Sequence, residues 1–255
     1  MIKSLIQFFL ITGQLSEFAG RYFREVFFPP YEFKEFLKQC FYIGNKSFAL
    51  VGTTGLIMGI VLTLQTRPTL IEFGAVSWMP SMVGIAIVRE IGPVLTALIC
   101  AGKIGSGIGA ELASMKVTEQ IDAMEVSGTN PFNYLVITRV TATTIMVPTL
   151  VVVADIISLS GSALVEYLKG GVTFQLYFSN VFEYLEFGDL LPSVIKSFFF
   201  GLIIVTTSCY MGFNCSGGAE GVGRATTRAV VISMVLILVG DYFLSALLVS
   251  MGIGG

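Results

Sequence analysis

Five stretches of this sequence, at approximately 47–65, 83–102, 137–160, 193–212 and 229–250, are too apolar and too long to be at home in water. Each reaches the roughly 20 residues that a helix needs to cross a hydrocarbon core. In that solvent every peptide N–H and C=O must find its partner inside the chain, so the spans have to be helices. Composition agrees, with 54% hydrophobic and 13% charged residues in 255, against about 25% charged in a soluble domain. No internal repeat and no soluble domain interrupts the pattern. The expected architecture is therefore an all-α membrane protein, one domain over 1–255. Residues 47–250 form the five-span bundle, and 1–46 form an N-terminal segment.

The N-terminal "MIKSLIQFFLITGQ" superficially resembles a signal peptide, with Lys3 ahead of an apolar run. It lacks a small-residue cleavage site, and Glu17, Arg21 and Arg24 follow directly, so an uncleaved helix lying in the membrane interface is expected. Lys and Arg positions orient the spans. With the N-terminus in the cytoplasm, ten cations lie inside: Lys3, Arg21, Arg24, Lys34, Lys38, Lys46, Lys103, Lys116, Arg224 and Arg228. Outside are Arg67 and Lys169, with Lys196 near the outer end of the fourth span. The C-terminus is then expected outside. A net charge of -2 gives no nucleic-acid footprint.

The absence of histidine removes Ser-His-Asp and Cys-His catalysis and every His-based metal site. Cys40, Cys100, Cys209 and Cys215 have no CxxC spacing and read as small buried hydrophobes. The run "GFNCSGGAEGVGRATTRAVV" (212–231) is rich in glycine. Its Gly218-x-x-x-x-Gly223 spacing is that of a phosphate loop, but Arg224-Ala225 stands where Lys-Ser/Thr is required, and no β-strand precedes it. A tight turn re-entering the membrane is expected instead, with Arg224 and Arg228 at the anionic inner surface. Gly52, Gly55 and Gly59 allow close helix packing on the first span. Gly105, Gly107 and Gly109 are expected to end the second.

Between spans two and three lies "ELASMKVTEQIDAMEVSGTNP" (111–131), far more charged than its flanks. Thr118 is placed to cap a helix beginning at Glu119, and Gly128 to end it. Val117, Ile121 and Met124 make an i, i+4, i+7 stripe, with Thr118, Asp122 and Glu125 on another face. The negative charge disfavours rest on an anionic leaflet, so a protein partner is preferred over an interfacial helix. On the opposite side Phe174, Tyr177, Phe178, Val181, Phe182 and Leu185 share one helical face. That pattern fits an aromatic interfacial helix or, less simply, a dock for a partner.

Arg89 and Glu90 fall in the outer half of span two, about 100° apart around the helix. Intramembrane charge marks a pathway or a pair, although both side chains could also snorkel to nearby headgroups. Pro93 should free the carbonyl of Arg89. Asp155 and Asp241 raise the same question.

The stretch "REIGPVLTALICAGKIGSGIGAELASMKVTEQIDAMEVSGTNPFNYLVITR" resembles the signature core of the MlaE-type permeases. "GGAEGVGRATTRAVV" is similar to their second cytoplasmic loop and "GLIMGIVLTLQ" to their first span. These are membrane subunits of ABC transporters that move phospholipids between the inner and outer membranes of Gram-negative bacteria. The resemblance covers about residues 48–248. It implies a homodimer in the bacterial inner membrane and a cytoplasmic ABC ATPase dimer that binds the ATP and Mg. It also implies a periplasmic MCE-domain hexamer and phospholipid as substrate. A STAS-domain regulator of the ATPase is a further partner it admits.

On that resemblance residues 111–125 become the coupling helix. Glu111 anchors it, and Met115, Lys116, Val117, Thr118, Glu119, Gln120, Ile121, Asp122, Met124 and Glu125 meet the ATPase, the apolar stripe filling its groove. Gln65, Arg89 and Glu90 would line the lipid pathway, Arg89 facing the phosphate with Glu90 orienting or counterbalancing it. Glu220, Arg224 and Arg228 would be inner-loop contacts. No cofactor and no metal is expected on this chain. A secondary carrier or channel would lack a reason for the 111–125 helix. A lipid-modifying enzyme would lack a catalytic constellation.

Overall fold

In the computed structural model every regular element among the described residues is helical. The description covers residues 2–29 and 31–252, without the side chains of 2–12 and of residue 187. Lys3, used above for orientation, has its side chain outside that range. In chain order the elements are α1 (Ile2–Glu25) and α2 (Phe33–Glu72), then α3 (Met79–Ala86), α4 (Gly92–Cys100), α5 (Ser106–Val117) and α6 (Gln120–Val126). They continue as α7 (Thr138–Gly170), α8 (Phe174–Tyr184), α9 (Phe187–Phe213) and α10 (Gly218–Ser250). Two π-helical turns, Ile87–Ile91 and Ala101–Gly105, join α3, α4 and α5, and a third, Phe132–Ile137, opens α7.

Five helical stretches are long and apolar enough to cross a membrane: Phe33–Glu72, Val76–Val117, Phe132–Gly170, Gly188–Phe213 and Gly218–Ser250. They contain the five expected spans and exceed them. The boundary expected after residue 46 falls inside α2, which at 40 residues is about 60 Å long, twice a hydrocarbon core. No proline or glycine pair interrupts its first turns, where Glu35 accepts from Lys38 at 3.3 Å and Gln39 at 2.8 Å. The glycines expected to end span two do not end it. Helix continues to Val117, and a Cβ at Gly105 would press on Ser208 Oγ at 3.0 Å while one at Gly109 would meet Ala229 Cβ at 3.6 Å. Those glycines admit neighbouring helices.

The chain forms two compact units, and their boundaries fall within long helices. One comprises residues up to 43, 100–145 and 201–236. Here Phe18 of α1 meets Phe132 edge-on at 5.2 Å and Tyr210 at 5.8 Å, and the Arg21 guanidinium lies 4.1 Å over the Phe132 ring. The Tyr22 hydroxyl is 3.2 Å from Thr141 Oγ1; burial pushes its pKa up against the pull of that hydrogen bond. The glycine-rich run is mostly helix. Only Asn214–Gly217 turns, with positive φ at Gly217 and at Gly218, where α10 begins. Arg224 and Arg228 therefore sit on α10 rather than in a loop.

The other unit comprises residues 44–99, 146–200 and those from 237 onward. α2 and α7 approach backbone to backbone: a Cβ on Gly59 would collide with the Ser158 carbonyl, and one on Gly161 would lie 2.6 Å from Leu56 O. Thr63 Oγ1 and Ser162 Oγ lie 2.6 Å apart across this seam, and the Tyr177 hydroxyl donates to Ser162 Oγ at 2.6 Å. The aromatic face expected on α8 is divided. Tyr177 and Val181 are buried with Met79, Val83, Val88 and Leu159, whereas Phe174 and Phe182 remain exposed.

Two outcomes follow for stability. Gly59→Ala should lower stability by about 1–3 kcal/mol through overpacking, while Gly107→Ala, with open space around it, should be neutral; thermal melting in detergent compares them. Burial, opposed by the Ser162 hydrogen bond and aided by Glu166, pushes the Tyr177 hydroxyl up to about 12 from 10. A neutral group held more tightly in the fold stabilises it below pH 10 and loses that contribution as pH rises towards 12, of order 2 kcal/mol. Absorbance titration against Tyr177→Phe should show one tyrosine ionising last, together with unfolding.

Candidate functional site

The charged residues singled out from the sequence fall into two groups, one in each compact unit. In the second unit the π-helical turn Ile87–Ile91 carries Arg89 and Glu90, immediately before Pro93. Proline supplies no N–H, and the Gly92 N–H bonds to Ile87 O, so the ladder is short of donors here. The carbonyl of Arg89 accepts instead from Lys196 Nζ at 3.4 Å. Arg89 Nε donates to Asp189 Oδ1 at 2.8 Å, and a second guanidinium nitrogen pairs with the same oxygen. Glu90 pairs with Lys196 at 2.7 Å, and Asp241 of α10 pairs with Lys196 at 3.2 Å. The Lys196 side chain is 2% exposed. Further along, Arg67 donates to Glu166 at 3.0 Å.

Expectation and outcome differ here in a specific way. Arg89 and Glu90 are not paired with each other; both reach α9, Arg89 through Asp189 and Glu90 through Lys196. Both ions of such a group lose hydration, and mutual pairing offsets that loss. Gln65 is exposed and takes no part in either cluster. Lys196, named above only for orientation, and Asp189 and Glu166, which carry no motif, complete these pairs. Their only sequence signal was a charge placed inside or beside an apolar window.

In the first unit, Glu111 projects from α5 to Arg139 at the start of α7, Oε1 to Nη2 at 2.9 Å. Arg139 is 3% exposed, and its other terminal nitrogen donates to Leu135 O at 3.0 Å. The bond ties the charged segment to the third span. That segment is not one helix from 111 to 125. α5 ends at Val117, Thr118 is its C-cap with Oγ1 donating to Ser114 O, and Glu119 adopts φ 59°. Glu119 is the non-glycine residue with positive φ among those described, a conformation that costs on the order of 1 kcal/mol. α6 then runs from Gln120 to Val126, and Gly128 at φ 81° ends it, with Thr129 N–H on Met124 O.

The result is an elbow closed by Lys116 Nζ on Asp122 Oδ1 at 2.7 Å. The expected N-cap at Thr118 is thus replaced by a left-handed Glu119. Of the apolar stripe, Ile121 turns inward. Ile121 is buried within the chain, while Met115, Val117 and Met124 are half-buried. The outward face is Thr118, Glu119, Gln120, Asp122, Glu125 and Val126, the last 91% exposed. On α10, Arg224 and Arg228 line an open cleft of about 700 Å³ with Gln14, Tyr210 and Asn214. Glu220 faces Arg224 loosely at 3.6 Å.

Lys196→Met should leave Glu90 and Asp241 without their cation and cost about 3 kcal/mol or more. Adding Glu90→Gln and Asp241→Asn should recover most of the loss. Thermal melting of the purified single and triple variants checks this; a single variant that melts with wild type would refute the role given to Lys196.

Residues 36–247 match the family model described as Permease MlaE. A probable ABC transporter permease protein of Rickettsia typhi is 39% identical over 246 residues, covering 96% of this chain and 95% of the relative. One from Rickettsia prowazekii is 40% identical over 245 residues, with 96% and 95% covered. One from Synechocystis is 33% identical over 248 residues, with 96% and 91% covered. The match spans all five membrane helices and both charged groups, and the chain belongs to the MlaE permease family.

Proposed function

We propose that this chain is the permease subunit of an ABC transporter that moves phospholipids between the inner and outer membranes of a bacterium. The observation that carries the reading is the elbow at 117–126. A connection needs no buried arginine clamp and no strained Glu119, but a lever that must pass force to the spans does. Its outward acidic face, with Val126 at the tip, suits a groove in a separate ATPase, which would bind the ATP and Mg. Glu111 with Arg139 would carry the motion to span three. Glu220, Arg224 and Arg228 would add contacts on the same side.

The lysine and arginine asymmetry supports a cytoplasmic N-terminus and periplasmic C-terminus in the inner membrane. α1 would then lie at the inner interface, its aromatic face against the bundle. Of the most apolar window of α10 only 11% is buried inside this chain, against 56% for α9. An apolar helix left that open is suited to a second copy and to lipid, which supports a homodimer enclosing acyl chains between α2, the second span and α10. Gln65, Arg89 and Glu90 would stand at the mouth of that space. A phosphate reaching Arg89 would exchange for Asp189. An MCE-domain hexamer would extend the route outward, and a STAS-domain protein would act on the ATPase.

The test purifies the tagged chain from membranes in mild detergent, beside a variant carrying Glu119→Asn and Glu125→Gln, with Asp122 kept because it closes the elbow on Lys116. Asparagine tolerates the left-handed conformation at 119, so the elbow should survive. Wild type should bring down an ATPase, ATP hydrolysis and bound phospholipid. The variant should lose at least tenfold of the recovered ATPase activity and keep its phospholipid. Full ATPase recovery by the variant would overturn the coupling assignment, and a wild type free of both would overturn the transporter reading.

A further inference from the structure

Asp155 lies in the middle of α7, eleven residues before Glu166, or about 16 Å deeper along the helix. It is 7% exposed, and its Oδ1 has no hydrogen-bond partner. Unlike Arg89, Glu90, Glu166, Asp189, Lys196 and Asp241, it has no ion pair among the described residues. That oxygen is pressed against Gly92, where any Cβ would collide with it. Gly92 closes the π-helical turn that carries Arg89 and Glu90, so Asp155 sits directly beneath the ion-pair cluster without joining it.

Among the described residues the surroundings offer no countercharge. A small adjoining space is lined by Thr54, Gly55 and Met58 of α2, by Leu95 and Thr96 of α4, and by Ser158 of α7, none of which titrates. The nearest charged side chains on the neighbouring turn, Arg89 and Glu90, are bound to Asp189 and to Lys196 with Asp241. An isolated carboxylate in such a place would lose hydration with nothing in return, at a cost of many kcal/mol, and a group so placed takes up a proton instead. The turn beside it also lacks donors. Gly92 N–H goes to Ile87 O and Pro93 has no N–H, which leaves the Val88 carbonyl without its i+4 or i+5 donor.

We propose that Asp155 is a proton-binding site buried in the membrane, neutral at physiological pH, its carboxyl O–H seated against the π-helical turn that positions Arg89 and Glu90. Asp155 holds that turn through shape and a hydrogen-bond donor, not through charge. Loss of the proton would place a bare carboxylate against Gly92 and force the turn away from α7. The inference stands independently of the cargo and of the ATPase.

The experiment is infrared spectroscopy of the purified full-length chain in lipid nanodiscs at pH 7, wild type minus Asp155→Asn. The expected difference is loss of one carboxylic-acid C=O band with the carboxylate bands unchanged. Loss of carboxylate bands instead would overturn the proposal. Asparagine keeps the shape and a donor, so the variant should melt with wild type; Asp155→Leu, without a donor, should melt lower. If the asparagine variant does not assemble, the wild type alone decides. Treatment with dicyclohexylcarbodiimide, which modifies protonated carboxyls in apolar surroundings, should give an adduct at Asp155 and none at Glu166 or Asp189, located by peptide mass. Adducts on the ion-paired carboxylates with Asp155 unmodified would overturn it.

Discussion

A bilayer core supplies no water to an unpaired peptide group or an unpaired charge, and most features of this chain follow from that single lack. It makes the spans helical throughout. It also dictates where helices can bend. At Ile87–Ile91 and Ala101–Gly105 the α-helical ladder slips to π-helical spacing and the helix continues beyond each turn. Where Pro93 removes a donor, the side chain of Lys196 supplies one to the carbonyl of Arg89.

The same constraint governs the charges. Lys196 is a nearly inaccessible ammonium, and it is tolerable because Glu90 and Asp241 converge on it from two other helices. Arg89 with Asp189 and Arg67 with Glu166 repeat the arrangement. Each pair joins elements far apart in sequence, so the pairs also fix which helix faces which. Hydrophobic burial cannot perform that service in lipid, where an apolar side chain is equally at home facing a neighbour or a tail. Close contact at Gly59 and Gly161, with the hydroxyls of Thr63, Ser162 and Tyr177, complements the ion pairs.

The first unit applies these means to a different end. Arg139 is buried, with one terminal nitrogen bonded within its own helix and the other held by Glu111 from another. The elbow beyond Glu111 is consequently fixed at its root, while its acidic face and Val126 stay open. Under the proposed function this geometry suits transmission, because a lever transmits displacement only if its attachment is stiffer than its surroundings. The strain at Glu119 fits that demand, since it bends the chain within two residues and preserves helix on either side.

The sequence by itself determined the all-helical class, the number of spans and their approximate centres. Apolar length and the hydrogen-bonding requirement leave no alternative, and both are local properties. It also marked residues 111–131 as exceptional and predicted that Pro93 would free the carbonyl of Arg89. It could not set the helix ends, because Gly105 and Gly109 read as breaks until Ser208 and Ala229 are seen filling the space they leave. Nor could it show that Ile121 of the Val117–Ile121–Met124 stripe turns inward, since periodicity states that a helix has an apolar face and not what covers it. Only the tertiary structure decided which carboxylate meets which cation, and among the described residues left Asp155 with none. Such pairings depend on distances across about a hundred residues of chain, and no local pattern encodes them.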